Sequence, residues 1–247
     1  MPLGFKPPPL IHFCTMKPIA MIPTYNEAEN IGRLVTDVLR QHPAMEVVVV
    51  DDDSPDGTGR IVSEMAETNP RVHAIVRNGV RGRTSAGTAG FKWALENGFD
   101  LVVEMDADFS HDPKYIPALI KAAGEADVAV GSRYAVGGGT ETEARLQHLL
   151  SRCANTFNSI VLGLRVKDSS GGYKCYRRRV LKTIDLDGLV SSGYSVGAEI
   201  LYRCVKAGFT LKEVPIVFKP RAAGKSKINW RIIMSYPVAI LRLRTIL

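Results

Sequence analysis

A doubly wound α/β fold on a largely parallel sheet flanked by helices is the architecture this sequence predicts. Short apolar runs rich in β-branched residues alternate with stretches of helical periodicity, and the run at 47–50 is continuous, as a strand buried on both faces must be. With 247 residues and 45% hydrophobic content the chain can bury one large core, so a single domain is expected.

Each element can be read in turn. A strand over 18–22 ends at Pro23-Thr24-Tyr25-Asn26-Glu27, where Asn26 or Thr24 would cap a helix over 28–40 that carries Ile31, Leu34, Val35, Val38 and Leu39 at helical spacing. Glu46-Val47-Val48-Val49-Val50 predicts a strand over 46–51, closed by Asp51-Asp52-Asp53-Ser54-Pro55-Asp56-Gly57 and followed by a helix over 58–68. Three adjacent carboxylates repel one another, so all three are expected to face water, cations or a donor-rich ligand. A strand over 72–76 and a helix over 85–97 come next. Between them Arg81-Gly82-Arg83-Thr84-Ser85-Ala86-Gly87 resembles a phosphate-cradling loop, without the Gly-Lys-Ser/Thr ending of a P-loop or the spacing of a dinucleotide fingerprint. Strands over 100–105 and 127–130 flank a helix over 114–123. Beyond Gly137-Gly138-Gly139, a glycine hinge, the pattern changes to a helical stretch over 146–162 and a bend at Gly171-Gly172.

Asp106-Ala107-Asp108, directly after Leu101-Val102-Val103-Glu104-Met105, says most about chemistry. Two carboxylates one residue apart at a strand end reach the same rim of a sheet, where they can hold a hard divalent cation against a diphosphate, with a solvated loop as the alternative. In an open α/β sheet ligands bind outside the carboxyl ends of the strands, and three such ends here carry polar, ligand-type residues. Arg133, after Val128-Ala129-Val130, suits a bidentate grip on phosphate, with a structural salt bridge as the alternative. His111 reads either as a ligand beside the acidic motif or as a hydrogen-bonded surface group. Glu199, set among Val196, Ala198, Ile200 and Leu201, reads as an orienting partner for a site cation or as a helix-face charge.

Pro23-Thr24-Tyr25-Asn26-Glu27, the Asp51 to Gly57 segment, Asp106-Ala107-Asp108 and Gly131-Ser132-Arg133-Tyr134 stand in an order and approximate spacing that resembles family 2 glycosyltransferases of the GT-A fold. Asp168-Ser169-Ser170-Gly171-Gly172-Tyr173, Gly193-Tyr194 with Glu199, and Arg221 with Gly224-Lys225-Ser226-Lys227 narrow the resemblance to the polyprenol-phosphate (dolichol-phosphate) mannose synthase group, from Lys17 to Tyr236. The resemblance implies transfer of mannose from GDP-mannose to a polyprenyl monophosphate with inversion, aided by Mg²⁺ or Mn²⁺ on Asp106 and Asp108. Asp108 is implied as the more direct ligand, with Asp106 on the metal, its waters or the ribose. Pro23, Tyr25, Glu27, Val50, Asp52, Asp106, Ala107, Asp108, Arg133, Arg221 and Lys227 are expected at the nucleotide sugar on the same ground, with Asp108, Arg133, Arg221 and Lys227 catalytic. Arg145, Ser151, Arg152 and Ser226 are candidates for the acceptor phosphate, because Gln147 stands where the group commonly has an arginine four residues before the serine of Ser151-Arg152-Cys153-Ala154. Ser110 likewise stands where a glutamine is frequent. A polyprenyl-phosphate glucose synthase, a transferase to a glycan hydroxyl and a catalytically silent nucleotide-binding scaffold remain as alternatives.

Charge points to an anionic partner. The net +7 is uneven: from Arg203 onward Lys206, Lys212, Lys219, Arg221, Lys225, Lys227, Arg231, Arg242 and Arg244 are opposed only by Glu213. No recognition-helix, zinc-finger or stacking-sheet pattern accompanies it, so nucleic acid is not the expected partner. Residues 17–228 read as the GT-A domain and 229–247 as a C-terminal amphipathic helix, too short for the roughly 20 residues that span a bilayer. It is expected on a membrane surface, with packing on the domain's own core as the alternative. Residues 1–16 read as a flexible Pro-rich extension without a secretory signal, and Cys14, Cys153, Cys175 and Cys204 as reduced thiols. The expected location is the cytoplasmic face of a membrane, with a separate anchor protein as a possible partner.

Overall fold

The structure, a computed structural model, describes residues 16–79, 81–141, 145–191, 193–220 and 230–246. The first half runs β1 (Pro18–Thr24), α1 (Ala28–Leu39), β2 (Glu46–Asp51), α2 (Thr58–Thr68), β3 (Val72–Val76), α3 (Arg83–Glu96), β4 (Leu101–Glu104), α4 (Ile116–Glu125) and β5 (Val128–Ser132). The second half adds β6 (Gly139–Thr140), α5 (Arg145–Leu162), β7 (Lys174–Arg177), α6 (Arg178–Thr183), α7 (Val196–Lys206), β8 (Leu211–Pro215), β9 (Val217–Phe218) and α8 (Trp230–Ile246). Seven strands form one sheet in the order β3-β2-β1-β4-β7-β5-β8, and β6 pairs with β9 in a separate two-stranded ribbon. Pairing in the large sheet is parallel except at β7, which is antiparallel to both β4 and β5.

Alternation along the strands builds two cores, one on each face of the sheet. Ile19, Met21, Val48, Val50 and Val102 pack with residues of α3, α5, α6, α7 and α8, whereas Ala20, Ile22, Val47, Val49 and Val103 pack with α1, α2 and α4. Strand order reverses between β1 and β4, and the loops that leave their carboxyl ends splay apart there. Every non-glycine residue with positive φ among the described residues sits in such a loop: Asn26 (59°) after β1, Asp53 (55°) after β2 and Phe109 (61°) after β4.

Several local expectations are corrected. Neither Asn26 nor Thr24 caps α1; Asp56 accepts from the Ala28 N–H at 3.0 Å and the Thr58 hydroxyl from the Glu27 N–H at 2.9 Å, so the neighbouring loop closes that helix end. Nor do all three carboxylates after β2 face outward. Asp51 and Asp52 are buried and only Asp53 is exposed, because nearby donors, described below, satisfy the first two. Helix α8 packs on the domain's own core, the alternative reading, through Ile240 and Leu243, which are fully buried; its other face exposes Met234, Val238, Leu241 and Ile246. No helix among the described residues is long and apolar enough to cross a membrane. Cys175 and Cys204 are free thiols that burial pushes up to about 12.

Candidate active site

Loops at the carboxyl ends of β1, β2, β4 and β5 converge on the rim of the sheet. After β1, half-buried Pro23 leads to Tyr25, whose hydroxyl accepts from Arg81 at 3.1 Å, and Glu27 accepts from the Asn30 amide at 2.9 Å. After β2, the Asp51 carboxylate accepts from the Ser54 N–H (2.9 Å) and hydroxyl (2.6 Å) and from Thr24 (3.1 Å). Asp52 accepts from Arg77 Nε at 2.8 Å and from the Gly82 N–H at 2.7 Å. The second carboxylate of that acidic run therefore holds the segment that leads into α3, while Val50 beside it is buried in the core.

The Asp-x-Asp motif is clamped from several sides. The Asp106 carboxylate lies 2.6 Å from Arg83, its N–H donates to His111 Nδ1 at 3.0 Å, and Ala107 is buried. Asp108 is 3% exposed and accepts from the Ser110 N–H and hydroxyl at 3.1 and 2.5 Å. His111 stacks on Tyr173 at 4.9 Å and meets Phe218 edge-on at 5.8 Å. Burial pushes its imidazole down, so it is neutral with the proton on Nε2, since Nδ1 accepts from Asp106. His111 is hydrogen-bonded, as one of its two readings had it, but it is buried and not on the surface. Gly172 permits this arrangement, because a Cβ there would stand 2.6 Å from the Arg83 guanidinium.

Arg133 spends its bidentate edge inside the protein. Its Nε and Nη2 each donate to Asp168 at 2.7 Å, Nη2 also reaches Ser170 at 3.2 Å, and its own N–H binds Asp168 at 2.9 Å. Burial pushes the Asp168 carboxyl up, but hydrogen bonds and charge from Arg133 outweigh this and hold it below the usual carboxylate range. The bidentate phosphate grip expected of Arg133 is replaced by the alternative salt bridge, since a wholly buried carboxylate needs both of those donors. Glu199 is likewise internal: it pairs with Arg203 at 2.8 Å and accepts from the Val190 and Ser191 N–H groups, so it orders a loop and not a site cation.

These groups open on a cavity of about 660 Å³. Asp106, Arg83, His111 and Arg133 line its polar end, and Phe157, Val196, Tyr236 and Pro237 line an apolar wall contributed by α5, α7 and α8. Ser151 also lines it, 3.5 Å from Ser170, whereas Arg152 is exposed with its guanidinium 5.3 Å from the Tyr134 ring. Arg145 is the first residue of α5. Arg221, Ser226 and Lys227 lie outside the described residues, as does the side chain of Arg145. Among the acidic and basic side chains that line the cavity, sequence reasoning missed Glu104 and Lys174. Burial pushes the Lys174 ammonium down, while the nearby Glu104, Asp168 and Asp106 carboxylates pull it back up. For Glu104 the available signal was a charged residue at the end of an otherwise apolar strand, whereas the strand of Lys174 mixes charge and apolar residues and gave none.

Asp106 lines the cavity in contact with Arg83, and Asp108 is buried just behind it, at the carboxyl rim of a mostly parallel sheet, an arrangement in keeping with a glycosyltransferase of the GT-A fold. The chain belongs to the family described as glycosyl transferase family 2, whose model matches residues 19–185. It is 42% identical over 217 residues to polyprenol monophosphomannose synthase of Mycolicibacterium smegmatis, covering 87% of this chain and 82% of that protein. Undecaprenyl-phosphate mannosyltransferase of Micrococcus luteus is 38% identical over 227 residues, covering 92% and 93%. Among solved structures, glucosyl-3-phosphoglycerate synthase from Mycobacterium tuberculosis, in complex with Mn²⁺, UDP and glucosyl-3-phosphoglycerate, superimposes with a TM-score of 0.69 over 95% of this chain and 82% of that one. Its identity of 15% makes this a likeness of fold.

Proposed function

We propose that this transferase moves mannose from GDP-mannose to a polyprenyl (dolichyl-type) monophosphate, with inversion at the anomeric carbon and release of GDP. One observation carries the reading: a single cavity joins the acidic and cationic rim to an apolar wall built partly by α8, whose outer face exposes Met234, Val238 and Leu241. Such a cleft suits a polar donor at one end and a lipid phosphate at the other. The names of the two relatives, both acting on polyprenyl phosphates, agree with it.

Asp106 and Asp108 fit Mg²⁺ or Mn²⁺. These two carboxylates, one residue apart after β4, would hold the cation, since hard divalent cations take oxygen donors. When bound, that cation neutralises the charge developing on the diphosphate as a Lewis acid. Arg83 holds the Asp106 carboxylate in place, and Ser110 does the same for Asp108. Pro23, Tyr25, Glu27 and Asp52 belong to the rim loops that would receive the nucleotide. A polyprenyl phosphate is already ionised near neutral pH, so its oxygen attacks the sugar carbon without an essential general base. The chain has instead to align two anions that repel each other, which falls to Arg221 and Lys227, with Ser151, Ser226, Arg145 and Arg152 toward the acceptor, while Arg133 lines the cavity with its bidentate edge held by Asp168. Operation at a membrane surface on the cytoplasmic side, with or without an anchor protein, follows from the lipid acceptor.

Purified protein incubated with labelled GDP- and UDP-sugars and a short polyprenyl phosphate tests the reading. Lipid-soluble label is expected with GDP-mannose alone. Label from UDP-glucose would make it a glucose synthase, and no label with retained GDP binding would make it a silent scaffold.

A further inference from the structure

The reversed direction of β7 brings its first residue to the carboxyl rim of its neighbours. Lys174 stands opposite Glu104 across the antiparallel β4–β7 pair, so the two side chains share one face of the sheet, the face covered by α7. Both line the cavity that Asp106 and Arg133 open. Exposure falls along the way in: the Asp106 and Arg133 side chains are 22% and 15% exposed, Glu104 is 6% and Lys174 is 0%.

A buried ammonium is costly unless its hydrogens are bonded. Lys174 Nζ donates to the Gly171 carbonyl and to nothing else among the described residues. Glu104 accepts from the Tyr176 hydroxyl at 3.1 Å, one bond for a group with two oxygens. Gly197 keeps α7 close above the ammonium, where a Cβ would stand 3.0 Å from Nζ. Such a pair of partly used groups, a donor beside an acceptor below the diphosphate rim, matches a polyol: vicinal hydroxyls each donate and accept. The apolar wall of Val196, Phe157 and Tyr236 offers a surface for the C–H face of a sugar ring.

We infer that Lys174 and Glu104 read the transferred sugar, the ammonium donating to one ring oxygen substituent and the carboxylate accepting from a neighbouring hydroxyl. Lys174 and Glu104 are thereby specificity-determining residues. The assignment rests on the nucleotide-sugar reading above. It also gives a reason for a lysine at a buried position where an apolar residue would pack without desolvation cost.

Calorimetry with GDP, GDP-mannose and its C2 epimer GDP-glucose tests it on the full chain. Lys174→Met and Glu104→Gln are expected to leave GDP affinity within about twofold while lowering the preference between the two sugar nucleotides by about tenfold or more. Unchanged preference, or parallel loss of GDP and both sugar nucleotides, would overturn the inference and leave the lysine a prop for the Gly171 carbonyl. Should Lys174→Met fail to fold, Lys174→Arg, which keeps the charge and changes its reach, and Glu104→Gln decide by the same readouts. If the unmodified protein binds neither GDP nor a sugar nucleotide, the nucleotide-sugar reading itself falls, and this inference with it.

Discussion

At the scale of the residue, the tightest constraints are charges that the fold cannot leave alone. Asp168→Asn would strand Arg133 beside a neutral amide and is expected to destabilise the protein by about 3–5 kcal/mol, read by urea denaturation at neutral pH. The sign of the pH dependence follows from the depressed Asp168 carboxyl: its stabilisation is present above the unfolded value of about 3.9 and is lost as pH falls through the folded one. The difference between variant and wild type should therefore shrink in acid. Asp108→Ala, and chelation with EDTA, should each lower transfer by on the order of 10² or more while circular dichroism stays native. Full activity in a metal-free assay would refute the cation's role. Gly172→Ala tests the clamp: the added Cβ meets the mobile end of Arg83, so activity should fall through Asp106 with little change in melting temperature.

At the scale of the element, α8 separates two jobs by face. Ile240→Ala and Leu243→Ala should each cost about 2–5 kcal/mol, because both side chains are fully buried. Met234→Ser with Val238→Ser should leave stability within about 0.5 kcal/mol, since both are exposed, yet weaken sedimentation with anionic vesicles. Equal vesicle binding by that double variant would make the outer face irrelevant to membranes. Legibility in the sequence divided along the same lines. Strands β1 to β5 and helices α1 to α4 were readable because each repeats its period over enough residues to show. Lys174-Cys175-Tyr176-Arg177 was not, since four residues mixing charge and apolar bulk fit no template, and their antiparallel direction is set by neighbours distant in sequence. Asp106 and Asp108 stand out in the sequence because they directly follow an apolar strand, whereas the pairing of Arg133 with Asp168 spans 35 residues and appears only on folding. The inward turn of Asp51 and Asp52 was hidden for the same reason: Thr24, Arg77 and Gly82, which satisfy them, come from other segments.

For the whole molecule, the two faces of the sheet are unequal. The α1, α2 and α4 face closes a core, while the face with α3, α5, α7 and α8 closes a core and also leaves the cavity at its rim. The surplus positive charge of +7 should add a salt-sensitive attraction to any anionic surface, worth on the order of 1 kcal/mol per basic residue close to it. Vesicle binding is thus expected to weaken at high ionic strength and to persist in part through the apolar face of α8. Complete insensitivity to salt would leave the charge without that role.

Asn26 and Asp53, two of the positive-φ residues in the rim loops, are exposed, and glycine could take either backbone conformation without strain. A laboratory selection by heat would therefore favour glycine at both, whereas a selection by turnover would keep the stiffer native residues that hold the rim loops in one shape. Asn26→Gly and Asp53→Gly are expected to raise or hold the melting temperature while lowering donor affinity. Two lineages evolved from this one sequence under those two regimes would part first at its rim, with their cores still the same.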